Sequence, residues 1–422
     1  MFSAMTLRPA AVLVFGIAAW TAQNQPERRA WQAPPRQVRS EASNLTPSIR
    51  EAMETGDEAK VRAVVARLRG VLGEWAGRTE VETKYHTPVN AGPPPSLGEI
   101  RAGWDALFQS TEGIYKGRGQ WLHSGPVPLR ETGEFVVGIM DALKAGAGDR
   151  DLELRRVREG LDYLLSVQAP NGFFPFPDMR GKDPFFGPMV ERAVAKSPDV
   201  IANGWMVKDA GDGGLQFDNG VCGFAMLEGY AGLHDRRYLD AARRASDWAV
   251  AQPLAANFNY NSFSVWLLAR FFEETHERKY LDAALQKLRV GVLPGEMENG
   301  RWVDLHNARP AYHWIMIRAM TKVYEVLPAK DTFRSTLRSR LVSAVDNGAR
   351  EIRENGAPSF ESSLGVLPKV CRALTPQPEW VTALNVLING VFDEAHRDPA
   401  NVHGISPYGY GSYLLYRSPQ KR

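Results

Sequence analysis

A nine-residue stretch occurs twice. His234-Asp-Arg-Arg-Tyr238-Leu-Asp-Ala-Ala242 returns as His276-Glu-Arg-Lys-Tyr280-Leu-Asp-Ala-Ala284, offset by 42 residues. A unit of that length holds two helices and the turn between them, and one such hairpin cannot bury its apolar face alone. From about residue 44 onward apolar residues fall three and four apart, and strand-like alternation is scarce. The spacing predicts helix pairs at 130–145 with 151–167, 218–232 with 236–251, 260–275 with 278–290, 310–327 with 331–353 and 363–374 with 379–396. The segments 46–75 and 97–115 supply a further pair. About six hairpins without a polar capping repeat predict an all-α fold, an α/α toroid closed on itself.

The connections are of two kinds. Turns within pairs are short, as at Leu233–Arg236 and Thr275–Arg278, whereas links between pairs are long: 168–182, 202–219, 252–262, 292–310 and 354–362. Asn-Gly recurs in these links, at 171–172, 203–204, 299–300 and 355–356, which is turn chemistry. In a barrel of hairpins all the long links meet on one rim, over the first turns of the inner helices, and that rim is the expected functional face. His234 and His276 sit at equivalent places on the opposite, short-turn end and read as structural.

The chain balances 51 Lys+Arg against 48 Asp+Glu over 422 residues, a formal net charge of +3. No bulk field exists for wrapping nucleic acid, and the composition is too apolar for a disordered chain. Residues 1–22 read as a signal peptide, with Arg8 before a short apolar run, and 23–43 as a flexible, Pro- and charge-rich lead-in. Residues 44–422 form a single catalytic toroid in this reading. A secreted or periplasmic location follows, with no membrane association once the signal is removed. Cys222 and Cys371 lie in apolar helical patterns and read as buried thiols.

Two clusters on the expected rim carry chemistry. In Trp302-Val-Asp304-Leu-His306-Asn307-Ala-Arg309-Pro310-Ala-Tyr312-His313, Pro310 suits a first helical position, so that Arg309, Tyr312 and His313 project from one helical turn. The second cluster, Asn257-Phe-Asn259-Tyr260-Asn261-Ser262, offers neutral donors to a carboxylate or to sugar hydroxyls, with N-capping as the plainer role. Asp218-Asn219-Gly220 opens another inner helix. Phe174, Trp205 and Trp302 are candidates for stacking on sugar rings. No Cys/His spacing matches a structural zinc site, and no cofactor or metal is called for.

The second cluster, three residues before Trp266, resembles the Asn-Asn-His-Ser-Tyr-Trp motif of the α/α-toroid alginate lyases that cleave mannuronate. Leu293-Pro-Gly-Glu296, followed by Arg309 and Tyr312-His313, resembles the same family's Leu-Pro-x-Glu segment with its Arg and Tyr-His. The likeness covers about residues 256–316. It implies Tyr312 as catalytic acid, Arg309 as the family's arginine, and a carboxylate-neutralising pair at Tyr260 and Asn261, where this chain lacks the family's His.

On this reading the chain is a polysaccharide lyase acting by β-elimination on an acidic, uronate-containing polysaccharide or oligosaccharide. Arg309, Asn259 and Asn261 would neutralise the carboxylate, and Tyr312, His306 or His313 would move the protons. Two alternatives stay open: a glycoside hydrolase using paired carboxylates, with Asp218 the best single candidate, and a non-catalytic glycan-binding protein. Arg180, Lys182, Lys208, Arg301 and Arg309 fall in the rim links, and they are expected to attract an acidic polymer.

Overall fold

In the computed structural model, residues 33–78, 89–121, 128–184, 186–209, 211, 213–356, 362–397 and 407–419 are described. The signal-peptide segment 1–22 lies outside them. The unit considered below is Pro34–Arg422. Its helices are α1 (Arg36–Asn44), α2 (Thr46–Glu54), α3 (Glu58–Leu72), α4 (Leu97–Ile114), α5 (Leu129–Lys144), α6 (Arg150–Val167), α7 (Phe186–Lys196) and α8 (Leu215–Leu233). They continue with α9 (Arg236–Ala251), α10 (Phe258–Thr275), α11 (Arg278–Gly291), α12 (Pro310–Val326), α13 (Thr332–Asn355), α14 (Ser362–Ala373), α15 (Pro378–Arg397) and α16 (Pro407–Arg417).

Among the described residues, α5, α8, α10, α12, α14 and α16 each pack against the next, and α16 returns to pack against α5. The ring is therefore closed, an α/α toroid as expected. The sequence pattern of each helix follows from its layer. Inner α8 is buried almost throughout, because helices cover one side and the lumen's own side chains cover the other. Outer α9 buries a single stripe, Tyr238, Leu239, Ala242, Ala245, Ser246 and Ala249, with charges elsewhere.

The repeat now has a physical account. His234 and His276 are the left-handed C-caps of α8 and α10, with φ of 55° and 57°, so the chain reverses there into the next outer helix. The two tyrosines of the repeat stitch neighbouring outer helices: Tyr238 donates to Asp162 at 3.0 Å and Tyr280 to Asp247 at 2.8 Å.

Ring closure uses glycine. A Cβ on Gly138 would sit within 3.0 Å of the Pro407 and Tyr408 backbone, and one on Gly411 within 3.0 Å of the Gly138 carbonyl. The α5 and α16 backbones thus touch with no side chain between them. Tyr410 of α16 donates to the Ile100 carbonyl of α4 at 3.0 Å, which ties α4 to the outside of the closing helix.

Three sequence expectations are corrected. The segments 46–75 and 97–115 do not pair with each other: α4 is the outer partner of α16, while α3 packs on α11 and the turn at Leu293–Gly295. Part of the segment read as a flexible lead-in is the helix α1, whose Val38 and Ala42 pack on the core. The link between α6 and α8 is more than a loop. It holds α7 and a three-stranded antiparallel sheet of β1 (Phe176–Pro177), β2 (Ile201–Ala202) and β3 (Trp205–Met206), in the order β1-β3-β2, around a small core of Phe173, Phe176, Met179, Val190 and Met206. The sixth inner helix is α16 at the C-terminal side, which packs on both α14 and α5. Cys222 and Cys371 are free and buried. No helix among the described residues is long and apolar enough to cross a membrane.

Candidate active site at the long-link mouth

All the inner helices enter the ring from the long-link end, so their first turns share one mouth. Four helices that follow one another around the ring each place a polar group there: Arg130, Glu131 and Glu134 from α5, Asp218 from α8, Tyr260 from α10 and Tyr312 from α12. Asp218 is fully buried and held by the fork of Arg130, whose Nε donates to Oδ1 at 2.9 Å while a terminal nitrogen donates to Oδ2. Arg130 in turn lies flat on Phe217 at 3.6 Å and faces Phe176 of β1 at 5.3 Å. The small sheet lobe therefore reaches the mouth.

Three carboxyl groups gather here, and burial changes the acid strength of Glu131 and Glu134. Glu131 is pushed up to about 7, first by desolvation and then by the Glu134 charge, with Arg130 pulling the other way. Glu134 is also pushed up by burial and by Asp218, against the downward pull of Arg318 and Arg130. Position in the first turns of α5 favours negative charge through the free backbone N–H groups, yet desolvation wins at Glu131. The outcome is a carboxyl that holds its proton near neutral pH beside two further carboxylates. This is the electrostatic arrangement a general acid needs.

The residues singled out in the sequence divide sharply. His313 is fully buried, bonds the Ala344 carbonyl at 2.9 Å through Nε2, and is held well below the usual imidazole range by burial. It faces α13 and not the mouth. Trp302 is fully buried, donates to the Val292 carbonyl at 3.1 Å and meets His313 edge-on at 5.6 Å. Phe174 is fully buried as well.

Both asparagines expected to neutralise a carboxylate are buried and engaged. Asn261 donates to the Ala255 and Gly291 carbonyls, both at 2.8 Å, and accepts from the Ala255 N–H at 2.8 Å. Asn259 donates to Asn307 at 2.9 Å, and Asn307 is itself bonded to Asp304. Asn219 ties the Phe174 N–H to the Ala245 carbonyl. These amides pin the loops that shape the mouth, and the structure places Asn259, Asn261, Asn219, His313, Trp302 and Phe174 within the wall behind it.

What remains accessible is narrower. His306 stacks on Tyr312 with ring centroids 4.2 Å apart, and burial lowers the imidazole's affinity for its proton, partly offset by Asp304. Its Nε2 is buried without a hydrogen-bond partner. Arg309 is exposed at the N-cap of α12, and Trp205 is half-buried on β3. The rim cations are mostly spent: Arg180 pairs with Asp178, Lys208 with Asp199 and Arg301 with Glu351.

Sequence reasoning missed Arg130, Glu131 and Glu134. The signal was present, since two acids three residues apart open an inner helix on the expected rim. It went unread because the link before α5 lacks the Asn-Gly punctuation of the others, and residues 122–127 of it lie outside the described set.

No family model matches the sequence, and no curated relative does. Solved structures do match in fold. A family 88 glycosyl hydrolase from Bacteroides vulgatus superposes with a TM-score of 0.52 at 12% identity, over 76% of this chain and 98% of that one. An unsaturated glucuronyl hydrolase from Streptococcus agalactiae gives 0.52 at 10% identity, over 80% and 99%. A structure described as a polysaccharide lyase gives 0.49 at 12%, over 76% and 96%, too distant to bear on the argument. The chain shares the α/α-toroid fold of these carbohydrate-active enzymes.

Proposed function

We propose that this protein cleaves glycans at the long-link mouth, and that it does so as a glycoside hydrolase. The observation that carries the reading is the carboxylate group Glu131, Glu134 and Asp218, with Glu131 kept protonated to about 7. Hydrolysis of a glycosidic bond needs one carboxylic acid to protonate the leaving oxygen and a second carboxylate to act as nucleophile or to activate water. Glu131 takes the acid role. Asp218 or Glu134 takes the second, and their separation across the bound sugar sets the stereochemical outcome. Phe217 and Tyr260 line the approach.

The fold neighbours described as glycosyl and unsaturated glucuronyl hydrolases are consistent with this class. The substrate is a polysaccharide or oligosaccharide. The expected preference for an acidic polymer loses most of its carriers, because three of the five rim cations are ion-paired. Export from the cytoplasm follows from the signal-peptide reading, and N-terminal sequencing of the mature protein checks it.

A second reading, the β-elimination lyase, is favoured by one observation: the His306–Tyr312 stack beside Arg309. In that mechanism Tyr312 moves the protons and Arg309 binds the uronate carboxylate. The test is a panel of uronate and neutral glycans assayed for both new reducing ends and ultraviolet-absorbing unsaturated ends. Saturated reducing ends, abolished in Glu131→Gln and retained in Tyr312→Phe, support hydrolysis. Unsaturated ends with the reverse mutant pattern refute it in favour of the lyase.

A further inference from the structure

The lumen holds a second chamber at the short-turn end, opposite the proposed catalytic mouth. It is a cavity of about 400 Å³, lined by the C-terminal halves of the inner helices, within the usual size range of small-molecule sites. Its floor is the stacked pair Phe224 and Trp266, with ring centroids 3.7 Å apart. Arg318 lies over Trp266 at 3.7 Å, which fixes the plane of its guanidinium.

Charge in this chamber is arranged unevenly. Each carboxylate in its wall has a cation within ion-pair distance. Asp141 pairs with Lys369 at 2.9 Å, and Glu228 with Arg270 at 2.8 Å. Glu273 and Glu325 pair with Lys322 at 3.3 and 2.6 Å, and Glu274 pairs with Arg270 at 3.0 Å. Arg318 differs. It is 5% exposed, yet among the described residues no carboxylate lies within ion-pair distance of it. Its Nε is buried without a hydrogen-bond partner among the described residues, and a terminal nitrogen makes a long 3.4 Å contact to the Tyr408 hydroxyl. Glu134, the carboxylate whose acidity Arg318 influences, belongs to the other chamber. Arg372, on the same wall, donates to the Leu415 carbonyl, and among the described residues no carboxylate lies within ion-pair distance of it.

Cations near helix C-termini are ordinary, since the dipole favours them. A buried guanidinium with an unmet N–H, stacked on an indole and opening into a cavity, is not explained that way, because buried donors are almost always paired. A guanidinium fork matches the geometry of an oxyanion, and an aromatic floor matches an apolar ring face.

We propose that the short-turn chamber is a second ligand site, taking a small oxyanion-bearing molecule of monosaccharide size on Arg318 and Arg372 over the Trp266 floor. The proposal stands apart from the glycan-cleaving assignment, because its readout is binding and not turnover.

Three probes test it by calorimetry and by Trp fluorescence on the full mature chain: inorganic phosphate, glucuronate and, as a neutral control, glucose. Saturable binding of phosphate or glucuronate with Kd below about 1 mM is expected, with glucose silent. Phosphate alone binding identifies an inorganic anion site, and glucuronate binding more tightly identifies a sugar-acid site. Arg318→Gln should abolish binding. Because that residue is buried, Arg372→Glu on the exposed wall is the companion: it should weaken binding at least tenfold and leave glycan cleavage unchanged. No saturable binding of either anion, or binding unaltered in a folded Arg372→Glu and Arg318→Gln, overturns the proposal.

Discussion

Closure of the toroid rests on one close approach, and a single methyl tests it. A Cβ added at Gly411 meets the backbone of Gly138, with the carbonyl oxygen well inside 3.0 Å and its carbon at 2.9 Å. Both atoms belong to main chain inside α5, so no side-chain rotation relieves the clash. The two helices must separate, which opens a buried seam running from Gly138 to Tyr408. Overpacking of this kind costs roughly 1–3 kcal/mol where side chains give way, and a backbone clash belongs at or above the upper end. For a chain of this length a loss of about 3 kcal/mol lowers the unfolding midpoint by roughly 5 °C. Gly70→Ala is the matched control: it sits in α3 with nothing within 4 Å of the new methyl. There the helix propensity of Ala should raise stability by up to about 1 kcal/mol. Thermal unfolding followed by circular dichroism reads both variants. Equal midpoints for Gly411→Ala and the parent protein would falsify the α5–α16 contact, and with it the closed ring.

Other expectations follow from the site and its charges. Glu131→Gln should lower kcat/KM on the cleaved glycan by about 10²–10⁴ with the fold intact, the size of a lost general acid. Since Glu131 must be protonated to act, activity should fall as pH rises through about 7, and this limb should vanish in the residual activity of Glu131→Gln. Tyr312→Phe should retain hydrolysis within about tenfold, because its hydroxyl moves no proton in this mechanism. Glu153, buried beneath the Trp104 N–H at 2.8 Å, is pushed up to about 7 mainly by burial, from an ordinary 4.5. Between those values the unfolded chain binds fewer protons than the folded one, so stability should decline as pH rises across that window. Glu153→Gln, which keeps an acceptor for Trp104, should flatten the decline in a pH series of unfolding midpoints.

Much of the architecture was legible in the sequence because it is written in local terms. The 42-residue repeat carries the C-cap, the turn and the stitching tyrosine of each hairpin, and every part of it acts within a few residues or on the adjacent helix. The partnership of α4 with α16 was not legible, since it joins residues about 300 apart and depends on Tyr410 lying against Gly103 and donating to the Ile100 carbonyl. The sheet lobe was missed because its strands are two residues long and show no alternation.

The candidate site was legible in place more than in membership. The rim was expected from link lengths, and the inner-helix first turns do meet there. Residue type alone could not separate Asn261, whose amide is consumed by three backbone groups, from a free ligand donor. Nor could it show that His313 bonds the Ala344 carbonyl of α13 while the Trp302 indole bonds the Val292 carbonyl after α11. Glu131 and Glu134 look like ordinary acids near a helix start until the fold half-buries them beside Asp218.

The central claim is that water adds across the bond that Glu131 protonates. Once a glycan from the panel is cleaved, the reaction can be run in heavy-oxygen water and the products weighed. Hydrolysis predicts that the fragments together exceed the substrate by one water, with the heavy oxygen in the new saturated end and no ultraviolet absorbance. Fragments that sum to the substrate mass, carry no label and absorb in the ultraviolet would contradict the account and assign the chemistry to Tyr312.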